Sequence, residues 1–224
     1  MAYAGTKTYI DGTVLHRWVL CEPSEQMLAM CAAEELPLDC EARSEYRRQE
    51  ILGERLLMKR IFGEYTPLQH NSDDEPYVEG CPAHITIAHT RGLLCIGLNA
   101  QHRMGIDVER YGRRVLGVRD FFLNDGEKAW LRPDDTLGHM VAWMAKEAIF
   151  KAVGVRDMVD DYARDIVVNP FATPGKGQTI THSGSFKGEP YYLETHMGDE
   201  FMLTFTCERR HLNKKETQLF CTTI

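Results

Sequence analysis

Three strand-like runs crowded into residues 84–108 set the tightest limit on what this chain can fold into. His84 to His89 alternates, with Ile85 and Ile87 on the same face as His89. Leu93 to Asn99 is continuously apolar, and Met104 to Val108 leads into Glu109, with turns at Gly92 and over Asn99–Gln101. Parallel neighbours need a crossover of a dozen or more residues, so runs this close predict antiparallel pairing. Helical patterns flank them. Pro23-Ser24-Glu25 opens a helix to about Glu35, which Leu36-Pro37 stops. A longer one runs from about Ser44 to Phe62 on Ile51, Leu52, Leu56, Met58 and Phe62, and ends at Gly63. Beyond the strands, helices are predicted over Val115–Phe122, from Asn124 (an N-cap with Glu127 at N3), and over Thr136–Val153, closed by Gly154. A hairpin around Asp11-Gly12, between Thr8 and Leu20, opens the chain, and strands at Tyr191–Thr195 and Phe201–Cys207 close it. The order gives an α+β class. Two lobes of about 100 residues, 1–100 and 101–224, each a small antiparallel sheet packed with helices, are compatible with this order.

Composition removes other classes. The 224 residues are 43% apolar and 26% charged, an ordinary globular mixture able to bury a core. No apolar run approaches membrane-span length, and MAYAGTKTYIDG has no signal-peptide core, so neither a membrane protein nor a secreted one is expected. A net charge of −7 disfavours a general nucleic-acid binder. The charge is uneven, −6 over residues 1–100 and −1 over the rest, yet Arg43–Arg60 holds six basic residues against three acidic ones. That stretch reads either as an anion-facing helix or as a solvated face of spaced ion pairs. Seven cysteines without a CxxC pair fit a reducing compartment, the cytoplasm, and no Cys/His spacing suits zinc.

Two segments carry chemistry. In Gly105-Ile106-Asp107-Val108-Glu109, a strand puts both carboxylates on one face and the apolar pair on the other. Side-by-side carboxylates repel unless water or a cation relieves them, and a hard cation such as Mg²⁺ suits the pair; a solvent-exposed acidic face reads equally well. In Trp143-Met144-Ala145-Lys146-Glu147-Ala148-Ile149-Phe150-Lys151, a helix puts Trp143, Glu147 and Lys151 on one face, with Lys146 flanking. Glu followed four residues later by Lys is also the ordinary helix ion pair.

The combination says more than either part. Asp-x-Glu on a strand, followed about 40 residues later by Trp-x-x-Lys-Glu-x-x-x-Lys on a helix, resembles the 4′-phosphopantetheinyl transferase superfamily, and the length resembles its Sfp-type branch, two similar α+β lobes in one chain. Ile87-Ala88-His89-Thr90 stands where that family has Ser-His-Ser/Thr, and Glu75-Pro76-Tyr77 where it has Gly-Lys-Pro-Tyr. The resemblance spans roughly residues 43–155. It implies transfer of the phosphopantetheine arm of coenzyme A to a serine of an acyl or peptidyl carrier protein, with release of adenosine 3′,5′-bisphosphate. It further implies Mg²⁺ on Asp107, Glu109 and Glu147. Glu147 is then the proton acceptor and Lys151 the cation on the pyrophosphate, with Lys146 assisting. Coenzyme A would meet Arg48, Arg47, Glu75, Pro76, His89 and Thr90, with His89 at the 3′-phosphate. A monomer is expected from two lobes in one chain. The carrier, acidic in that family, would meet Arg113–Arg114 or the Phe121–Phe122 helix.

Two departures stand out: Glu75 inverts the charge of the family's loop lysine, and Ala88 removes a hydroxyl. They motivate an alternative from another class, a non-catalytic module of the same fold that binds coenzyme A or a carrier. An unrelated Mg²⁺ phosphotransferase finds no phosphate loop in the sequence.

Overall fold

The structure, a computed structural model, describes residues 3–9, 11–154 and 158–207. Strands β1 (Tyr3–Thr8) and β2 (Val14–Val19) form the opening hairpin, followed by helices α1 (Ser24–Ala33) and α2 (Glu45–Phe62). Then come the two-residue strands β3 (Gln69–His70) and β4 (Pro76–Tyr77), and β5 (His84–Thr90), β6 (Leu93–Asn99) and β7 (Ile106–Arg110). Helices α3 (Arg114–Phe122), α4 (Asp125–Trp130), α5 (Thr136–Val153) and α6 (Tyr162–Asp165) precede β8 (Ile166–Val168), β9 (Thr179–Phe186), β10 (Glu189–Met197) and β11 (Phe201–Cys207). The Asn124–Glu127 cap and the stops at Gly63 and Gly154 match the sequence reading, and Ser44, expected only as the start of α2, is also its cap. Ser44 accepts from the Arg47 amide at the head of α2, Asn124 and Glu127 form a reciprocal capping box on α4, and Gly63 and Gly154 end their helices in the left-handed conformation.

Two antiparallel sheets result, β1-β2-β6-β5 and β7-β11-β10-β9-β8. The close-spaced strands therefore do not all pair with one another. β5 and β6 make a hairpin, but β6 already has β2 on its other edge, so β7 crosses to the second sheet and pairs with β11, nearly 100 residues on. β9 went unread because Thr179–Phe186 is mostly Thr, Ser, His and Gly, without apolar alternation.

The unbroken apolar run of β6 has a clear cause. Leu94 and Ile96 pack under α1 and α2 with Trp18, Met27, Leu52 and Leu57, while Leu93 and Cys95 turn the other way. That second face meets Ile106, Val108, Phe201, Leu203 and Phe205, so one apolar layer joins both sheets. Each such side chain contributes about 1.5–3 kcal/mol by leaving water. Because Ile106 and Val108 face this layer, Asp107 and Glu109 must face the opposite side, where α5 lies. Gly105 lets α5 come that close: a Cβ there would stand 1.8 Å from the Ala148 carbonyl oxygen.

Candidate active site

α5 brings Trp143, Glu147 and Lys151 along one face onto β7. Lys151 Nζ lies 3.0 Å from Asp107 Oδ1 and 2.9 Å from the Ile106 carbonyl oxygen. Trp143 Nε1 donates to Glu109 Oε1 at 3.3 Å. Between them, Glu147 Oε1 accepts from the Tyr162 hydroxyl at 2.7 Å. Three carboxylates thus have three different donors.

Asp107 is 7% exposed, and its second oxygen, Oδ2, is buried with no hydrogen-bond partner. Burial pushes its carboxyl up to about 7; Lys151 opposes this and the Glu147 and Glu109 charges add to it. Burial also raises Glu109, against the Trp143 hydrogen bond. An all-oxygen set with one orphaned buried oxygen and mutual repulsion has the chemistry that a hard dication relieves. The set is not assembled as a cage, however: among the described residues no three His, Cys, Asp or Glu side chains form a ready metal site, and Lys151 holds one Asp107 oxygen.

Glu147 and Lys151 open onto a cavity of about 420 Å³, within the range of small-molecule pockets. Its walls include His89, Thr86 and Ile87 of β5, the loop from Asp73 to Tyr77, and Arg103, Phe150 and Gly154. Of the residues that sequence reasoning gave to the nucleotide, Glu75, Pro76 and His89 line it. Glu75 pairs there with Arg103, so part of its inverted charge is answered. His89 Nδ1 sits 2.5 Å from Glu50 Oε1, yet burial dominates and holds the imidazole below its ordinary value.

Other sequence-derived assignments need correction. Lys146 does not reach the cavity. It is 0% exposed, pairs with Glu127 at 2.8 Å, and donates to the carbonyls of Ala163 and Ile166. Its neighbour Glu147 has the site because one residue along a helix turns a side chain by about 100°. Arg47 and Arg48 are not in the cavity wall: Arg47 pairs with Glu50 at 2.9 Å. Thr90 acts on Glu109 through its hydroxyl and is likewise absent from the wall. Ala88 faces the layer between the sheets, so the serine it replaces would not meet a ligand from that position. Sequence reasoning missed Glu50 and Tyr162. Glu50 was legible only as the i+3 partner of Arg47, and Tyr162 sits in a polar acidic run with no periodicity around it.

Residues 103–206 match the family model of the 4′-phosphopantetheinyl transferase superfamily. The match covers a little under half of the chain and makes this stretch similar to a phosphopantetheinyl transferase domain. Enzymes of this superfamily move the phosphopantetheine arm of coenzyme A onto carrier proteins. The matched stretch begins at the cavity residue Arg103, includes all of α5 and β7, and closes on β11, the partner of β7. No curated protein matches the chain significantly. Among the described residues, no helix is long and apolar enough to cross a membrane. The matched stretch contains the Trp-x-x-Lys-Glu-x-x-x-Lys helix. Its first, fifth and ninth residues meet β7 and the cavity, while its lysine at the fourth position builds the core.

Proposed function

We propose that this chain transfers the 4′-phosphopantetheine arm of coenzyme A to a serine of an acyl or peptidyl carrier protein in a Mg²⁺-dependent reaction, as a two-lobe Sfp-type enzyme. The observation that carries the reading is the meeting of Glu147 and Lys151 in one cavity wall, backed by Asp107 with its unpaired buried oxygen. Asp107, Glu109 and Glu147 would hold the metal. Bound there, Mg²⁺ would supply charge neutralisation to the pyrophosphate.

The chain's own groups do the rest. Glu147 takes the proton of the carrier serine as its Oγ bonds to the phosphorus on the pantetheine side. The bond from that phosphorus to the bridging oxygen breaks, and the oxygen leaves with adenosine 3′,5′-bisphosphate. The Lys151 ammonium, the one lysine among the described residues of the cavity wall, stabilises the negative charge on that departing phosphate. His89 receives the 3′-phosphate, with Glu75 and Pro76 on the opposite loop. Residues 1–100 supply the nucleotide side and residues 101–224 the acidic site, so a single chain suffices and a monomer is the working form. Six described cysteines are unpaired, in keeping with a cytoplasmic setting. At the head of α3 and along it, exposed Arg113, Arg114, Val118 and Phe121 offer a basic and apolar patch to an acidic carrier.

Release of adenosine 3′,5′-bisphosphate from coenzyme A, followed by chromatography with an apo carrier and Mg²⁺ present, tests the reading. The wild-type chain should turn over, and Glu147→Gln should lower kcat by about 100-fold or more. Coenzyme A binding without nucleotide release across several carriers would favour the binding-only module.

A further inference from the structure

We infer that Tyr162 is a positioning residue of the transfer reaction, fixing the Glu147 carboxylate through its hydroxyl. The inference rests on the reading of Glu147 as the proton acceptor. A glutamate has three side-chain torsions and a proton acceptor tolerates errors of only about half an ångström, so such a group needs an external restraint. Among the described residues, Tyr162 is the hydrogen-bond partner of Glu147, at 2.7 Å on Oε1. The Tyr162 ring is itself held from three sides. Phe121 of α3 stacks on it at 6.1 Å and 17°, while Phe150 and Trp143 of α5 tilt against it at 5.9 and 6.2 Å. Trp143 in turn holds Glu109, so adjoining rings restrain two of the three carboxylates.

Buried Lys146 anchors the segment that carries this tyrosine. Its ammonium binds the Ala163 carbonyl, one residue past Tyr162, and the Ile166 carbonyl. Tyr162 is absent from the cavity lining and approaches Glu147 from behind. This placement separates it from donor binding: losing the hydroxyl should affect the chemical step and spare coenzyme A.

The test is Tyr162→Phe, which keeps the ring and its packing, assayed in the full chain with coenzyme A, Mg²⁺ and an apo carrier. The expected result is a fall in kcat of about tenfold or more, the scale of one hydrogen bond to a charged group, with KM for coenzyme A unchanged within about twofold and Tm within about 2 °C. On a Glu147→Gln background the same change should add little, because both act through one carboxylate. An unchanged kcat would overturn the inference, as would a rise in KM alone or a full additive loss in the double variant. A wild-type chain that gives no transfer would instead remove the reading of the function, and the inference with it.

Discussion

At the scale of single residues, Asp107 is where sequence and solvent conflict most. A carboxylate pushed up to about 7 holds its proton more tightly folded than unfolded, where the ordinary value is about 3.9. Its contribution to stability is therefore present at acid pH and is lost as pH rises from about 4 through about 7. A dication that replaces the proton should restore it. The Mg²⁺-induced rise in Tm is expected to be larger at pH 8 than at pH 5.5, and Asp107→Asn should erase the difference; an equal shift at both values would contradict the metal assignment. Lys146 makes the opposite case. It sits beside the site in sequence but inside the core in space, bonded to a Glu127 that also caps α4 and accepts from the Val168 amide at 2.7 Å. Lys146→Met leaves the buried Glu127 charge without its counter-ion, a loss of about 3–5 kcal/mol, or about 10 °C in Tm for a chain of this size. KM for coenzyme A should stay put, and a shifted KM at unchanged Tm would return Lys146 to the site.

At the scale of elements, the site is a meeting of one strand with one helix. β7 must be buried on one face and acidic on the other, and α5 must present Trp143, Glu147 and Lys151 together. Gly105 sets how close the two can lie, with Ala148 oxygen 1.8 Å and Ala152 nitrogen 2.7 Å from where its Cβ would be. Gly105→Ala should force β7 off α5 at a cost of about 1–3 kcal/mol, lowering Tm by several degrees and kcat with it. A variant with both values intact would show that this contact is dispensable. These two elements were legible beforehand, because the alternation in Ile106–Glu109 and the fourfold spacing on α5 are local patterns. The caps on α2, α4 and α5 were legible for the same reason. What escaped was long-range. The pairing of β7 with β11 depends on which sheet edge is free, the turn of Lys146 into the core depends on Glu127 in another helix, and the role of Tyr162 depends on three rings from α3 and α5. No spacing in the sequence encodes those meetings.

At the scale of the whole molecule, the two sheets are not independent. Leu15, Leu93 and Cys95 of one share an apolar layer with Ile106, Leu203 and Phe205 of the other. The cavity draws His89 and the Asp73–Tyr77 loop from the first half and Glu147 and Lys151 from the second. The chain's net charge is −7, yet Arg113 and Arg114 at the start of α3, with Phe121 68% exposed at its end, form a local basic and apolar patch, the surface proposed for an acidic carrier. The central claim is that this shared cavity performs a transfer. The most direct test is the intact mass of an apo carrier protein after incubation with this chain, coenzyme A and Mg²⁺. The account predicts a gain of one phosphopantetheine arm, lost with Glu147→Gln or on chelating the metal. An unchanged carrier mass across acyl and peptidyl carriers would contradict it.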